Sequence, residues 1–293
     1  MRVVFIGSIY FSKKMLEELI RLRVNIVGVC AKKESKFNAD FFDIGEISLK
    51  NNIPTIYSSE INSKKVYHWI KNKKPDVIFC LGWSRLIKKS LLRLNSVGII
   101  GFHPTALPMN RGRHPIIWTL ALGLKKTATT FFFMNEKADA GDIISQREID
   151  VSKAENAQSL YAKIILNASI QIKEIVKRLN KNKLVRIKQN YKKATSWRKR
   201  YTEDGKIDWR MSAENISNLV KALSKPYLGA HFFFNGKKII LLKLLLVKVK
   251  NKNIEPGKII FYLKFKPVVK CGDNAICMLK TYPKIKVKVG NYL

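Results

Sequence analysis

Apolar residues in the first 150 positions fall into short unbroken runs, separated by stretches with helical spacing. Residues 2–7 (RVVFIG) form one such run, and 24–30 (VNIVGVC), 75–82 (PDVIFCLG) and 97–102 (VGIIGF) repeat it. Between the first two, Met15, Leu16, Leu19, Ile20 and Leu22 recur every three or four positions, the period of a single helix face over 11–22. A second helix is expected over 64–71. Strands apolar on both sides and alternating with helices predict a parallel sheet covered on both faces, a doubly wound, mostly parallel α/β domain. Residues 114–123 then read as a helix stopped by Gly123, and 127–134 and 142–151 as two further strands. Ser152 and Glu155 stand at capping-box spacing, ahead of a long helix whose apolar face runs through Leu160, Ile164, Ala168, Ile172, Ile175 and Leu179.

The texture changes near residue 180. Residues 180–206 are polar and basic and read as a linker or arm, and 212–223 as a short helix. Beyond them come brief β-type runs punctuated by Asn235-Gly236, Pro256-Gly257 and Gly272-Asp273 turns, the pattern of a small antiparallel β domain. The expected organisation is a catalytic-type α/β domain over 1–184, a linker over 185–210 and a small β-rich, OB-like domain over 211–293.

With 293 residues and 46% apolar content the chain can bury a real core. No run approaches the 18–20 or so uninterrupted apolar residues of a membrane helix. The N-terminus lacks the order of a signal peptide, so a cytoplasmic location is expected. Cys30, Cys80, Cys271 and Cys277 are scattered with no C-x-x-C pair, which speaks against a zinc site or a disulfide framework. There is no G-x-G-x-x-G and no G-x-x-x-x-G-K-[ST], so a dinucleotide or ATP cradle is not expected. The net charge of +35 suits a polyanionic partner. Yet 43 of the 56 basic residues are lysines spread along the whole chain, as compositional bias and solvated faces would produce. An anionic small substrate fits either reading.

The candidate chemistry lies in GIIGFHPTALPMNRGRHP, residues 98–115. His103 stands at the carboxyl end of a strand, where open parallel sheets bind ligands, and Pro104 fixes the direction of the exit. Arg111, Gly112 and Arg113 form a compact positive turn, and NEKADAGDI supplies Asp139 and Asp142 in a turn between two strands. A carboxylate beside an imidazole orients the ring and stabilises its charged form, and such a pair can move protons for a nucleophile. The alternative is a histidine that only satisfies a turn and an aspartate that only caps a loop.

The stretch GFHPTALPMNRGRHPIIWTLALGLKKTATTFFFMNEKADAGDII resembles the core of the folate-dependent formyltransferases, the group containing methionyl-tRNA, glycinamide ribonucleotide and sugar N-formyltransferases. The family pattern is Asn-x-His, Leu-Pro, Arg-Gly and then Asp-x-Gly-Asp. His103, Leu107-Pro108, Arg111-Gly112 and Asp139-Ala140-Gly141-Asp142 match it in register, with the first aspartate thirty-six positions after the histidine. FIGSIYF, PDVIFCLGWSRLI (75–87) and DGKIDWRMSAENISNLVKALSKPYLGAHFFF (204–234) extend the likeness over most of the chain. The resemblance implies a Rossmann-like formyltransferase domain and transfer of a formyl group from N10-formyltetrahydrofolate to a primary amine, without a metal. It implies that His103 takes the amine's proton or, charged, stabilises the oxyanion, and that Asp139 holds the ring. The loop Leu81, Gly82, Trp83, Ser84, Arg85 and Leu86, with Asp142, would bind the folate, and Arg111, Gly112 and Arg113 the substrate.

One position departs from the pattern. The family asparagine two residues before the histidine, a donor to the oxyanion, is Gly101 here. His114 and Asn110 are candidate replacements. For the accepting amine, residues 31–54 carry two phenylalanine-bearing turns and the acids Glu34, Asp40, Asp43 and Glu46, in place of the basic Gly-rich insert of tRNA-directed members. That difference, with the WRKRYTEDGKIDWRMSA and KPYLGA segments, implies an amino sugar, nucleotide-linked, of surface-glycan synthesis. Methionyl-tRNA is the second expectation and an RNA-binding protein on an inactive scaffold the third. A homodimer is compatible with the sequence.

Overall fold

The computed structural model describes residues 1–35 and 39–293 and divides into two units. The first comprises residues 1–115, 126–150 and 161–198, the second residues 116–125, 151–160 and 199–293. The turn expected around Phe37 lies outside the described residues.

The apolar runs become strands β1 (Arg2–Ile6), β2 (Asn25–Ala31), β3 (Thr55–Tyr57), β4 (Val77–Cys80) and β5 (Gly98–His103). Helices α1 (Tyr10–Arg21), α2 (Gly45–Lys50), α3 (Lys64–Asn72) and α4 (Lys89–Leu92) connect them. Then follow β6 (Arg111–Gly112), α5 (Pro115–Ala121), β7 (Lys126–Phe133), β8 (Ile143–Asp150), α6 (Ala157–Asn180) and β9 (Ser196–Trp197). The main sheet has the order β3-β2-β1-β4-β5-β7-β8. Its first five strands are parallel, and β7 and β8 complete it antiparallel. This is the expected doubly wound sheet with an antiparallel edge.

Burial explains why its central strands are apolar on both sides. Val4, Ile6, Ile78, Cys80 and Ile99 pack on one face with Val66 and Ile70 of α3. The alternate residues Val3, Phe5, Val77 and Phe79 are also sealed. On β7 and β8 the cover includes α6, whose buried Gln171 donates Nε2 to Thr129 O (3.1 Å) and Ser145 Oγ (2.9 Å). Lys173 of α6 meets Glu18 of α1 at 3.7 Å.

The entry into α6 differs from the expected capping box. Ser152 and Glu155 close a turn through Glu155 N–H donating to Ser152 O (3.1 Å). The helix starts later, where Ser159 N–H donates to Asn156 Oδ1 and Asn156 N–H to Ser159 Oγ, both at 3.0 Å. Asparagine caps as well as serine, so the box simply sits four positions on.

The second unit holds α7 (Ala213–Ala222), capped by Ser212 Oγ accepting from Asn215 N–H at 3.0 Å. Its sheet is formed by β10 (Ala230–Phe234), β11 (Lys237–Val247), β12 (Ile259–Leu263), β13 (Lys266–Lys270) and β14 (Ala275–Tyr282). They run antiparallel in the order β10-β11-β14-β13-β12. Asn235 and Gly236, at φ of 48° and 71°, make the tight β10–β11 turn that the Asn-Gly pair predicts. Trp209, Ile216, Phe232, Leu241, Ile259, Val269 and Ile276 form its core. Among the described residues no helix is long and apolar enough to cross a membrane.

Candidate active site

In the first unit the strand order reverses between β1 and β4, and ligands of open α/β sheets bind where the order reverses. The loops after these two strands are tied together by one hydroxyl. Ser12 Oγ accepts from Ser8 N–H (3.1 Å) and Ile9 N–H (3.2 Å), and donates to Leu81 O (2.6 Å). Gly82, at φ +76°, presses against it, because a Cβ there would lie 2.4 Å from Ile9 Cγ1 and 2.5 Å from Ser12 Oγ. Leu81 N–H donates to Ile6 O, so both polar groups of Leu81 are spent on the fold. Leu86 O accepts from Asn62 Nδ2 at 2.9 Å. Arg85 is exposed and pairs with Glu60.

Between these anchors lie Trp83 and Ser84. The Trp83 indole Nε1–H is buried and has no hydrogen-bond partner among the described residues. Lys32 Nζ sits 4.3 Å from the ring centroid. Burial, then the neighbouring Arg85, pulls the Lys32 ammonium below its ordinary range against the pull of Glu60. An orphaned donor in a loop held at both ends fits a flat heterocycle rich in acceptors.

The second cluster forms at the carboxyl end of β5. His103 is 5% exposed. Its Nε2 lies 2.9 Å from Asn110 O, which only accepts, so this nitrogen carries a proton. Nδ1 then faces Asp139 Oδ2 at 3.7 Å. The same carboxylate oxygen accepts from Gly112 N–H at 2.9 Å. Thus the imidazole and carboxylate, thirty-six residues apart in sequence, meet over the Arg111–Gly112 turn. Asp139 and Asn110 both take left-handed backbone, at φ of 53° and 62°. Gly141 is indispensable to the turn, since a Cβ would stand 1.6 Å from Phe133 O.

The remaining sequence candidates separate. Arg111 turns its guanidinium to Gln189 Oε1 (2.7 Å) and over the Tyr191 ring (5.0 Å), leaving buried Nε without a partner among the described residues. Arg113 is exposed, and its N–H donates to Trp197 O. Asp142 joins the turn through its backbone, Phe133 N–H donating to Asp142 O at 2.8 Å. Asn110 engages Thr195 through both its N–H and its Oδ1, and His114 takes φ +54°. Gly101 is buried on the same strand face as His103, two residues before it. A Cβ at Gly101 would come within 2.8 Å of Met134 Cγ and 3.1 Å of Phe132 Cζ, so a thioether fills the volume where the family pattern has an asparagine.

Sequence reasoning missed the strap over 187–198. Ile187 pairs with Ile143, and β9 pairs in parallel with β6, so this polar, basic stretch belongs to the first unit and frames the Arg111 turn. Gly112 is glycine at φ +101° because Trp197 O would stand 2.3 Å from any Cβ. Gln189 and Tyr191 bond to the carbonyls of the Asp139 turn. A hint existed in the alternation of Val185, Ile187 and Gln189 within a charged stretch. The cysteines take no part. All four are free and buried, and burial pushes the Cys80 thiol up to about 12. Among the described residues no group of three His, Cys, Asp or Glu side chains could hold a metal ion.

Comparison with known proteins identifies the family. The family profile described as Formyl transferase matches residues 1–176, and that of its C-terminal domain matches residues 199–291. A bifunctional polymyxin resistance protein ArnA of Wigglesworthia glossinidia brevipalpis is 32% identical over 264 residues, covering 89% of this chain but only 40% of that protein. A methionyl-tRNA formyltransferase of Caldanaerobacter subterraneus subsp. tengcongensis is 28% identical over 295 residues, covering 99% of this chain and 94% of that one. An N-formyltransferase of Helicobacter canadensis, solved with folinic acid and dTDP-3-aminofucose, has the same fold. Its TM-score is 0.70 at 17% identity, over 94% of this chain and 98% of that one. With more than half of its length matched by the catalytic-domain profile, the chain belongs to the formyl transferase family, the folate-dependent enzymes whose motif its His103–Asp142 segment resembles.

Proposed function

We propose that this enzyme formylates the primary amine of a nucleotide-linked amino sugar, for surface-glycan synthesis in the cytoplasm. N10-formyltetrahydrofolate supplies the formyl carbon and leaves as tetrahydrofolate. The main chain of Trp83 and Ser84 and the indole of Trp83 would hold its ring system, with Asp142 at the neighbouring turn. The observation that carries the chemistry is the buried His103–Asp139 pair. Formation of the new C–N bond requires the amine nitrogen to lose a proton, and the departing nitrogen must gain one. With Nε2–H given to Asn110 O, Nδ1 is the ring nitrogen that can take up a proton, and the Asp139 carboxylate stands beside it to balance the charge that a proton brings. Gly112 N–H fixes that carboxylate, and Asn110 O fixes the ring. The 3.7 Å separation is longer than a hydrogen bond, as catalytic pairs often are in structures without substrate.

Three observations support an amino sugar. The ArnA relative, the sugar N-formyltransferase neighbours and the absence from residues 31–54 of a basic Gly-rich insert point the same way. In that segment Asp40 is instead pinned to α6, accepting from Tyr161 Oη at 2.7 Å. Methionyl-tRNA is the second reading, supported by several methionyl-tRNA formyltransferase relatives and the +35 net charge. The test offers N10-formyltetrahydrofolate with a panel of nucleotide-linked amino sugars and with Met-tRNA, scored by the mass gain of one formyl group. Sugar formylation, abolished in His103→Ala and Asp139→Ala with melting temperature retained, is the expected result. Formylation of Met-tRNA alone reverses the choice of amine, and wild-type rates in both variants overturn the site.

A further inference from the structure

We propose that Gln189 is a positioning residue for the reaction, a clamp that sets the Asp139 carboxylate against His103. The inference rests on the reading that this pair performs the proton transfers. Gln189 is 6% exposed and commits both amide N–H donors and its carbonyl oxygen to two loops. Its Nε2 donates to Asp139 O (2.9 Å) and to Gly141 O (2.7 Å), and its Oε1 accepts from Arg111 Nη2 (2.7 Å). One side chain therefore bolts the turn that carries the carboxylate to the turn whose Gly112 N–H receives it.

The need for a bolt follows from the backbone. Asp139 is a non-glycine residue at φ +53°, a conformation that costs about 1–2 kcal/mol and persists only where neighbours hold it. The turn between Asp139 and Gly141 cannot relax inward, because Gly141 already lies against Phe133 O. Hydrogen bonds to the Asp139 and Gly141 carbonyls resist the outward motion that remains. Without Gln189 two carbonyls and a guanidinium in a buried setting lose their partners at once. The Asp139 side chain, 19% exposed, then has freedom to leave Gly112.

The side chain must be glutamine. Glutamate would set an anionic oxygen against two carbonyl oxygens while keeping the Arg111 link, and methionine would keep the length and lose every polar bond.

The experiment compares wild type, Gln189→Met, Gln189→Glu, Asp139→Asn and the double variant Q189M/D139N. It measures steady-state kinetics for both substrates, melting temperature and amide hydrogen exchange at Gly112. In Q189M and Q189E we expect kcat to fall by about tenfold to a hundredfold, the scale of a misplaced reacting group, with both KM values within about twofold. Exchange at Gly112 N–H should quicken at least about tenfold, because its acceptor has moved. In the D139N background Q189M should cost less than about twofold more, since a residue acting through Asp139 has nothing left to position. Rates within threefold of wild type, unchanged Gly112 exchange, or losses that multiply in the double variant would each overturn the proposal. Should Q189M fail to fold, Q189E carries the same measurements. Should wild type transfer no formyl group to any amine offered, the functional reading fails and the Gly112 exchange alone decides whether Gln189 clamps the turn.

Discussion

Placing asparagine at Gly101 separates a missing group from an occupied volume. On β5 a side chain at this position would point along the face that carries His103. A bare Cβ there meets Met134 Cγ at 2.8 Å, Phe132 Cζ at 3.1 Å and Met134 Sδ at 3.3 Å, and an asparagine extends three heavy atoms further. Gly101→Asn alone should therefore overpack the wall, costing about 1–3 kcal/mol of stability, with no gain in turnover because the amide has nowhere to lie. Met134→Ala removes the two thioether atoms in the way. In the double variant the amide can enter, and a donor aimed at a developing oxyanion is worth about 2.7–4 kcal/mol, or about a hundredfold to a thousandfold in rate. A grafted donor lacks tuned support, so a gain of at least about tenfold in kcat over Met134→Ala is the expected outcome. The assay is kcat at saturating formyl donor and amine for the four proteins, with a melting curve for each. If G101N alone speeds the reaction without lowering the melting temperature, Met134 does not hold that volume. If the double variant gains nothing over Met134→Ala, the wild-type site already owns an equivalent donor, and the apolar wall is the finished design.

Two substitutions of glycine should differ sharply in thermal melts. Gly141→Ala collides with the Phe133 backbone, which cannot step aside, so a loss of about 3 kcal/mol or more is expected, together with loss of turnover. Gly236→Ala meets nothing within 4 Å and should cost only the roughly 1–2 kcal/mol of a left-handed alanine; equal losses would refute the steric argument. In the second unit His231 is buried, and burial, then Lys238, lowers its imidazole against the pull of Glu203. A histidine lowered on folding binds fewer protons folded than unfolded, so the stability it contributes is present above about pH 6.5 and is lost as pH falls from there through the lowered folded value. Denaturant midpoints between pH 7.5 and 5.5 should fall in wild type and flatten in His231→Gln; an unchanged slope would assign the pH dependence elsewhere.

What could be read in the sequence follows from the range over which each signal acts. Strands buried on both faces must be apolar at every position, so RVVFIG and DVIFC announce the parallel sheet without further context. Helix faces and the Asn235-Gly236 turn are equally local. His103 and Asp139 were legible because several fixed spacings around them agree, although nothing in those spacings says that the two side chains touch. The strap is the opposite case. Its contribution rests on main-chain pairing at Ile187 and at Ser196–Trp197 and on single side chains such as Gln189 and Thr195. A backbone bond leaves no mark on side-chain identity, and one buried amide among lysines looks like any polar linker. The same blindness hides Met134, an ordinary strand-end residue until the space above Gly101 is seen to be full. Both omissions fall on groups that pack against candidate residues rather than on the candidates themselves, and the reason is physical. A reacting group must be of one chemical type and so leaves a motif, whereas its support needs only a donor, an acceptor or a volume in the right place, and many sequences can provide that.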